Sequence, residues 1–142
     1  MSDDHVERVS PESLGRAGWT ILHGFAAAYP RQPDAEQRKE METFLTSWSN
    51  LYPCKHCAAH MRDCMEDDPP RLQSRDELSI WMCELHNKVN DLLDKPLFDC
   101  SLGAIMDRWT PGGRRKPRAN RAKLHDNLDC ETTFCPEERR SG

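Results

Sequence analysis

The feature that most constrains the fold is a succession of helix-like apolar repeats, separated by prolines and capping residues, with no strand-like alternation between them. A serine before such a repeat is a strong helix start, because its side chain accepts a hydrogen bond from the free N–H groups of the first turn. In chain order, the starts and breaks are Ser10-Pro11, Tyr29-Pro30, Pro33-Asp34, Pro53, Ser74 to Glu77 and Lys95-Pro96. With a short fifth helix from about Ser101 to Trp109, the pattern predicts an all-α fold: a four-helix bundle plus one short helix.

Two of these repeats collect their large apolar side chains on one helical face, which we expect to be buried. On the second repeat, the face consists of Met41, Phe44, Leu45, Trp48 and Leu51. On the fourth, it consists of Leu78, Trp81, Leu85, Val89 and Leu92. These two faces are the predicted centre of the core.

Composition divides the chain into four parts. Residues 13–109 contain all four tryptophans and are predicted to form the folded domain, after a flexible N-terminus at 1–12. Residues 110–125 begin with a Pro-Gly-Gly turn signal and carry basic side chains without an acid, which is typical of a flexible linker. Residues 126–142 form a predicted flexible tail with two cysteines, Cys130 and Cys135.

Charge and hydropathy exclude several classes of protein. A net charge of −4 and a pI near 5.9 argue against general nucleic-acid binding. No apolar run approaches the roughly 18 residues of a membrane span, and the polar stretch from Met1 to Ser13 is unlike a signal peptide. Seven cysteines are unusual in a reducing cytosol unless they bind metal or cycle catalytically. We therefore expect an oxidising or intermediate compartment, reached without a cleavable signal.

Cys54-Lys55-His56-Cys57 is predicted to lie in the first turn of the third helix. There the helix dipole stabilises a thiolate, so one sulfur can attack a partner while the other resolves the mixed disulfide. His56 and His60 lie close enough to modify this reactivity. A zinc site made by Cys54, Cys57 and His60 is the alternative, although the fold lacks the second close pair that a four-thiolate site needs.

The remaining cysteines suggest a cross-link, a free thiol and a mobile dithiol. A Cys83–Cys100 disulfide would join the fourth helix to the fifth and stabilise the fold by roughly 3 kcal/mol in the chain-entropy model. Cys64 is expected to be a free buried thiol. Cys130 and Cys135, on a flexible arm, suit the delivery of electrons between sites, with an incidental or regulatory pair as the alternative.

A series of motifs extends from Gly15 to Trp109, over the predicted folded domain. In order, they are Gly15-Arg16-x-x-Trp19-x-x-x-His23, Tyr29-Pro30, Tyr52-Pro53-Cys54-x-x-Cys57, Trp81-x-Cys83-x-x-His86-Asn87-x-Val89-Asn90, Lys95-Pro96, Asp99-Cys100 and Arg108-Trp109. In residue type, order and spacing, the series resembles the Erv/ALR family of FAD-linked sulfhydryl oxidases.

The resemblance implies that FAD binds within the helical bundle, with its isoalloxazine beside the Cys-x-x-Cys. Lys95 and Arg108 would meet the pyrophosphate, and no Rossmann G-x-G-x-x-G is present. The complete set of FAD-binding residues implied is Gly15, Arg16, Trp19, His23, Tyr29, Cys83, His86, Asn87, Val89, Asn90, Lys95, Arg108 and Trp109. No resident metal is expected.

The resemblance also implies how electrons travel. Cys57 would be the thiolate next to the flavin, and Cys54 would be the distal thiol that accepts electrons. Cys130 and Cys135 would be a shuttle disulfide that takes electrons from substrate protein dithiols and passes them to Cys54 of the other subunit of a homodimer. Dioxygen or cytochrome c would be the final acceptor.

The C-terminal position of this pair is similar to plant and some protist members of the family. The expected location is the mitochondrial intermembrane space, with the endoplasmic reticulum lumen as the alternative. Two competing hypotheses are a non-enzymatic, zinc-stabilised interaction module and a disulfide carrier without flavin.

Overall fold

The computed structural model describes residues 8–110, which form five helices and no strand. The helices are α1 (Pro11–Ala28), α2 (Ala35–Leu51), α3 (Lys55–Asp67), α4 (Arg75–Leu92) and α5 (Leu102–Trp109). The predicted all-α class, with four longer helices and a short fifth, is confirmed. The predicted linker beyond Thr110 and the tail at 126–142 lie outside the described residues.

Short-range hydrogen bonds set the helix starts. Ser10 Oγ accepts from Ser13 N at 3.1 Å, and Ser74 Oγ accepts from Glu77 N at 3.1 Å. At α2 the bonds are reciprocal, because the side chains and backbone N–H groups of Asp34 and Gln37 pair in both directions. Each bond satisfies an N–H group that has no partner within its helix.

The end of α4 also follows a known local pattern. Asp94 adopts a left-handed backbone conformation with φ 57°, which allows two bonds to close the last turn. Asp94 N donates to Asp91 O at 3.1 Å, and Lys95 N donates to Asn90 O at 2.7 Å. This is the Schellman arrangement, and it turns the chain away from the helix axis.

The core lies between the two layers of helices, with α1 packed on α4 and α5, and α2 packed on α3. Leu45, Leu78 and Trp81 are almost completely buried at its centre. Trp81 Nε1 donates to Asp68 O at 2.9 Å, so this large side chain is buried without losing its hydrogen bond. A second buried cluster, which includes Ile105 and Trp109, fixes α5 to the bundle.

Two side chains that we predicted to be buried are exposed. Leu51 is 79% exposed and Leu92 is 65% exposed. Each is the last residue of its helix, where the apolar repeat continues but the neighbouring helix no longer covers it. Among the described residues, no helix combines the length and the apolar character that crossing a membrane requires.

Candidate active site

Cys54 and Cys57 are joined by a disulfide at the start of α3, with Cα atoms 5.3 Å apart. Cys54 is the N-cap residue and Cys57 lies in the first turn. The Cys54 side chain makes no capping hydrogen bond, so the positive end of the helix dipole remains available to a thiolate when the disulfide opens. Because Cys57 is exposed and Cys54 is half-buried, a thiol from solution can reach this disulfide.

The segment that leads into the disulfide rests on α1. A Cβ atom added at Gly18 would lie 3.2 Å from the Trp48 ring and 3.5 Å from the Tyr52 ring. The absence of a side chain at Gly18 therefore allows α2 and Tyr52 to approach α1 closely. Tyr52 is two residues before Cys54, so this approach fixes where α3 begins.

The two histidines of α3 have different partners. His56 lies beside Cys54, with Nδ1 at 3.5 Å and Nε2 at 3.6 Å from Cys54 Sγ. His60 instead contacts Cys64, which is free and buried, at 3.7 Å. Burial raises the pKa of the Cys64 thiol. Within residues 8–110, the metal-binding atoms that come together are those of Cys54, His56 and Cys57, whereas the predicted zinc alternative used His60.

Four aromatic rings from α1, α4 and α5 form a stacked cluster. Trp19 stacks on His86 with ring centroids 4.0 Å apart, and His23 stacks on Trp109 at 4.1 Å. His23 Nε2 and His86 Nδ1 are 2.9 Å apart, so one neutral ring donates its N–H to the other. The cluster therefore joins three helices through both ring stacking and a hydrogen bond.

Both histidines of this ring cluster are strongly perturbed. Burial, and after it the positive charges of Arg108 and Lys95, together lower the pKa of His86 to about 3. Burial and His86 also hold the pKa of His23 well below its usual 6.5. At neutral pH, both rings are therefore uncharged, so one ring supplies an N–H donor and the other an unprotonated nitrogen for the hydrogen bond between them.

Several side chains that the resemblance assigned to a cofactor also hold the fold together. The Asn87 amide donates to Phe98 O at 3.0 Å and accepts from Phe98 N at 2.9 Å. Tyr29 Oη donates to Leu72 O at 2.9 Å. The Arg108 guanidinium lies over the Phe98 ring, 4.3 Å from its centroid. Asn87 thus positions a ring that Arg108 covers, and sequence analysis missed this role of Phe98.

Asn90 has a buried polar atom that the described fold does not satisfy. The residue is 5% exposed, and its Nδ2 has no hydrogen-bond partner within residues 8–110. A buried donor without a partner costs about 1–3 kcal/mol, so such a group calls for an acceptor from elsewhere.

The remaining predicted residues are distributed over the same region. Gly15 lies on the side of α1 that faces Tyr52, whose Oη would be 3.9 Å from a Cβ atom added there. Arg16 is half-buried on the same helix, and Val89 and Lys95 are half-buried at and just after the end of α4. Cys83 and Cys100 are joined by a disulfide with Cα atoms 5.7 Å apart, which cross-links α4 to the segment before α5. Cys130 and Cys135 lie outside the described residues.

Comparison with known proteins places this architecture in a family. The sequence model of the Erv1/Alr family matches residues 16–110. The mitochondrial FAD-linked sulfhydryl oxidase ERV1 of Saccharomyces cerevisiae is 48% identical over 107 residues, 75% of this chain and 56% of that protein. The FAD-linked sulfhydryl oxidase ERV1 of Arabidopsis thaliana is 40% identical over 109 residues, 77% of this chain and 56% of that protein. The chain thus spans about half the length of these curated relatives.

Solved structures agree with the sequence comparison. The crystal structure of the yeast Erv1 core superposes with a TM-score of 0.72 at 44% identity, and the match covers 78% of this chain and 92% of that one. The FAD-binding domain of Saccharomyces cerevisiae Erv1 gives a TM-score of 0.68 at 46% identity, with 72% and 95% covered. Sequence and fold therefore lead to the same conclusion: this chain belongs to the Erv1/Alr family.

Proposed function

We propose that this protein is an FAD-dependent sulfhydryl oxidase that generates disulfides in substrate proteins. The observation that carries the proposal is an accessible Cys54–Cys57 disulfide at the start of a helix, in a bundle whose relatives are named FAD-linked sulfhydryl oxidases. The comparisons give no support to a non-enzymatic, zinc-stabilised module. The proposed reaction is 2 R–SH + O2 to R–S–S–R + H2O2, or the equivalent transfer to cytochrome c.

The residues of the bundle fit a flat, partly polar and anionic cofactor such as FAD. The ring cluster offers aromatic faces for stacking. Asn90 Nδ2 is a buried donor without a partner in residues 8–110, which an acceptor on a ligand would satisfy. Arg108 and Lys95 supply positive charge for a pyrophosphate. We propose that the cofactor is held by Trp19, His23, His86, Asn90 and Trp109, together with these two cations.

The chemistry that the protein's own residues perform is thiol–disulfide exchange. A substrate thiolate attacks Cys54 Sγ, which forms a mixed disulfide and releases Cys57 as a thiolate that the helix dipole stabilises. A second substrate thiol then attacks the substrate sulfur, which frees the oxidised product and leaves Cys54 and Cys57 reduced. His56, 3.5 Å from Cys54 Sγ, is placed to donate a proton to Cys54 as it leaves. When bound, FAD supplies the two-electron acceptor that returns this pair to the disulfide.

We further propose that the protein works as a homodimer in the mitochondrial intermembrane space. Relatives from Saccharomyces cerevisiae and Schizosaccharomyces pombe are named mitochondrial, which supports the proposed location.

The proposed dimer interface is an apolar strip on α1 and α2. Ile21, Phe25 and Leu51 are exposed apolar side chains beside a groove of about 390 Å³ between these helices. Such a strip is an expected interface. Cys130 and Cys135 of the other subunit would deliver electrons to Cys54.

The visible absorption spectrum of the purified protein tests this proposal. We expect a yellow protein whose colour bleaches on addition of dithiothreitol and recovers as oxygen is consumed. Cys54→Ser and Cys57→Ser should each abolish oxygen consumption, because each variant keeps only one sulfur of the pair and cannot form the intramolecular disulfide. A folded protein that binds no added FAD and consumes no oxygen would overturn the proposal and favour a flavin-free disulfide carrier.

A further inference from the structure

Three groups with an affinity for soft or borderline metals meet at the start of α3. Cys54 Sγ, a ring nitrogen of His56 and Cys57 Sγ all lie within 4.8 Å of one another. Two thiolates and an imidazole are ligands that Zn²⁺ prefers. The cluster therefore has the composition of a zinc site whenever its disulfide is open.

The spacing of these atoms matches zinc as well as their chemistry does. With Zn–S near 2.3 Å and Zn–N near 2.0 Å, a sulfur and a nitrogen on neighbouring corners of a tetrahedron lie about 3.5 Å apart. Cys54 Sγ and His56 Nδ1 are 3.5 Å apart. Two sulfurs on such corners lie about 3.8 Å apart, which rotation of the side chains permits because the Cys54 and Cys57 Cα atoms are separated by 5.3 Å.

We propose that the reduced form of this protein binds one Zn²⁺ through Cys54, His56 and Cys57, and that the oxidised form does not. Only a thiolate is a metal ligand, so the disulfide prevents binding and its reduction creates the site. Binding displaces the two thiol protons and moves no electrons. His56 and Cys57 are exposed, which leaves the fourth position of the metal open to water.

Bound zinc would hold the pair in its reduced state. Both sulfurs donate electron pairs to the metal, so the disulfide re-forms only after zinc dissociates. The slowing of turnover that follows from this rests on the proposed oxidase function, whereas the binding itself does not. Zinc is then a reversible inhibitor that acts on the dithiol stage of the cycle.

The helix provides its own control for the third ligand. His60 is one turn beyond His56, and its Nε2 contacts Cys64 Sγ at 3.7 Å rather than Cys54. Our assignment therefore requires that His56→Asn weaken zinc binding and that His60→Asn leave it unchanged. Removing an outer-sphere partner typically costs about tenfold in affinity, so the loss of the direct ligand should cost at least that much.

The test uses the full-length, FAD-loaded chain with Cys130→Ser and Cys135→Ser, so that the tail dithiol does not compete for metal. The protein is reduced without oxygen by a phosphine, freed of reductant, checked for two new thiols and titrated with zinc chloride against a chromophoric chelator. We expect one zinc per reduced chain and none per oxidised chain. Zinc should also slow re-formation of the disulfide by diamide at least tenfold, with recovery on addition of EDTA.

Three results would overturn the assignment: equal binding by the oxidised chain, unchanged affinity in His56→Asn, or weaker binding in His60→Asn. The first would locate the metal elsewhere, and the others would change the ligand set. Failure here is distinguishable from failure of the proposed function. A yellow, active oxidase without reduction-dependent zinc binding removes only the zinc site, and a zinc-binding protein that takes up no FAD removes only the oxidase.

Discussion

The hydrogen bond between His23 and His86 joins α1 to α4 through two buried imidazoles, which are uncharged at neutral pH. Their pKa values in the folded protein lie below the usual 6.5, at about 3 for His86. Above pH 6.5, both the folded and the unfolded chain carry neutral rings. Below it, the unfolded chain takes up protons that the folded chain excludes, so the stability that depends on these rings is lost as the pH falls from 6.5 toward 3.

We expect the free energy of unfolding to decrease between pH 7 and pH 5.5, by up to about 1.4 kcal/mol per pH unit for each histidine. Urea unfolding followed by circular dichroism measures this slope. Carboxylates ordinarily titrate below this pH range, so they contribute little to the slope of the unfolding free energy between pH 7 and pH 5.5. His86→Gln should remove a large part of the slope, and a variant that keeps the whole slope would contradict the assignment.

Substitution of Gly18 tests whether the close approach of Trp48 and Tyr52 to α1 stabilises the fold. In Gly18→Val, the new side chain meets Trp48 and Tyr52, so we expect a loss of about 1–3 kcal/mol of stability from overpacking. Gly24→Val is the matched control, since a Cβ there meets nothing within 4 Å. Both changes place the same β-branched residue in α1. Equal unfolding free energies for the two variants would show that the contact at Gly18 does not constrain the fold.

At the scale of the helices, the Cys83–Cys100 disulfide and the Asn87–Phe98 hydrogen bonds attach the segment before α5 to α4. Replacing Cys83 and Cys100 together by alanine should lower stability by roughly 3 kcal/mol, the chain-entropy value for a loop of this length. Thermal unfolding of FAD-loaded protein measures the effect. Reduction of the wild-type disulfide should give a similar decrease, and an unchanged melting temperature would contradict the role of the cross-link.

Helix starts were predictable because they depend on residues three apart. The serine caps at Ser10 and Ser74 and the proline breaks mark four of the five helices, and the structure forms all of them. The apolar faces were less certain guides, because periodicity does not reveal where a neighbouring helix stops. Leu51 and Leu92 follow the repeat and are nonetheless exposed.

The site was predictable only in part. The motif series identifies the cysteines and the residues of the ring cluster, but not which of them touch. His23 and His86 are 63 positions apart, and their hydrogen bond depends on how α1 crosses α4. The role of Phe98 likewise appears only when the loop folds back on Asn87. Short sequence patterns do not predict contacts between residues so far apart in the chain, because these contacts depend on how the helices pack.

For the whole molecule, the exposed strip on α1 and α2 predicts self-association. Phe25 is 51% exposed and stacks on Phe44 at the edge of the groove. Phe25→Asp would place a charge in the interface and should shift the protein from dimer to monomer in sedimentation velocity. Leu97→Asp, at a 60% exposed leucine outside the strip, serves as the control. A wild-type monomer, or a dimer that survives Phe25→Asp, would contradict this interface.

The last prediction concerns the proposed shuttle role of Cys130 and Cys135. The Cys54–Cys57 disulfide is accessible from solution, so a small dithiol needs no intermediary to reduce it. A folded substrate protein has less freedom to bring its thiols to a sulfur at a helix start, and the proposed shuttle dithiol would overcome that restriction. We therefore expect Cys130→Ser to leave the oxidation of dithiothreitol largely unchanged.

The same Cys130→Ser variant should oxidise a reduced protein substrate at least about tenfold more slowly, a difference of roughly 1.4 kcal/mol in activation free energy. Oxygen consumption with each substrate measures the two rates side by side.

Mixing Cys130→Ser with Cys54→Ser shows whether the tail acts on the other subunit of the dimer or on its own. If the tail of one subunit serves the other, mixed dimers recover activity, because an intact tail then faces an intact Cys54. If each tail serves its own subunit, no mixture recovers. An equal loss toward both substrates in Cys130→Ser alone would contradict the shuttle itself.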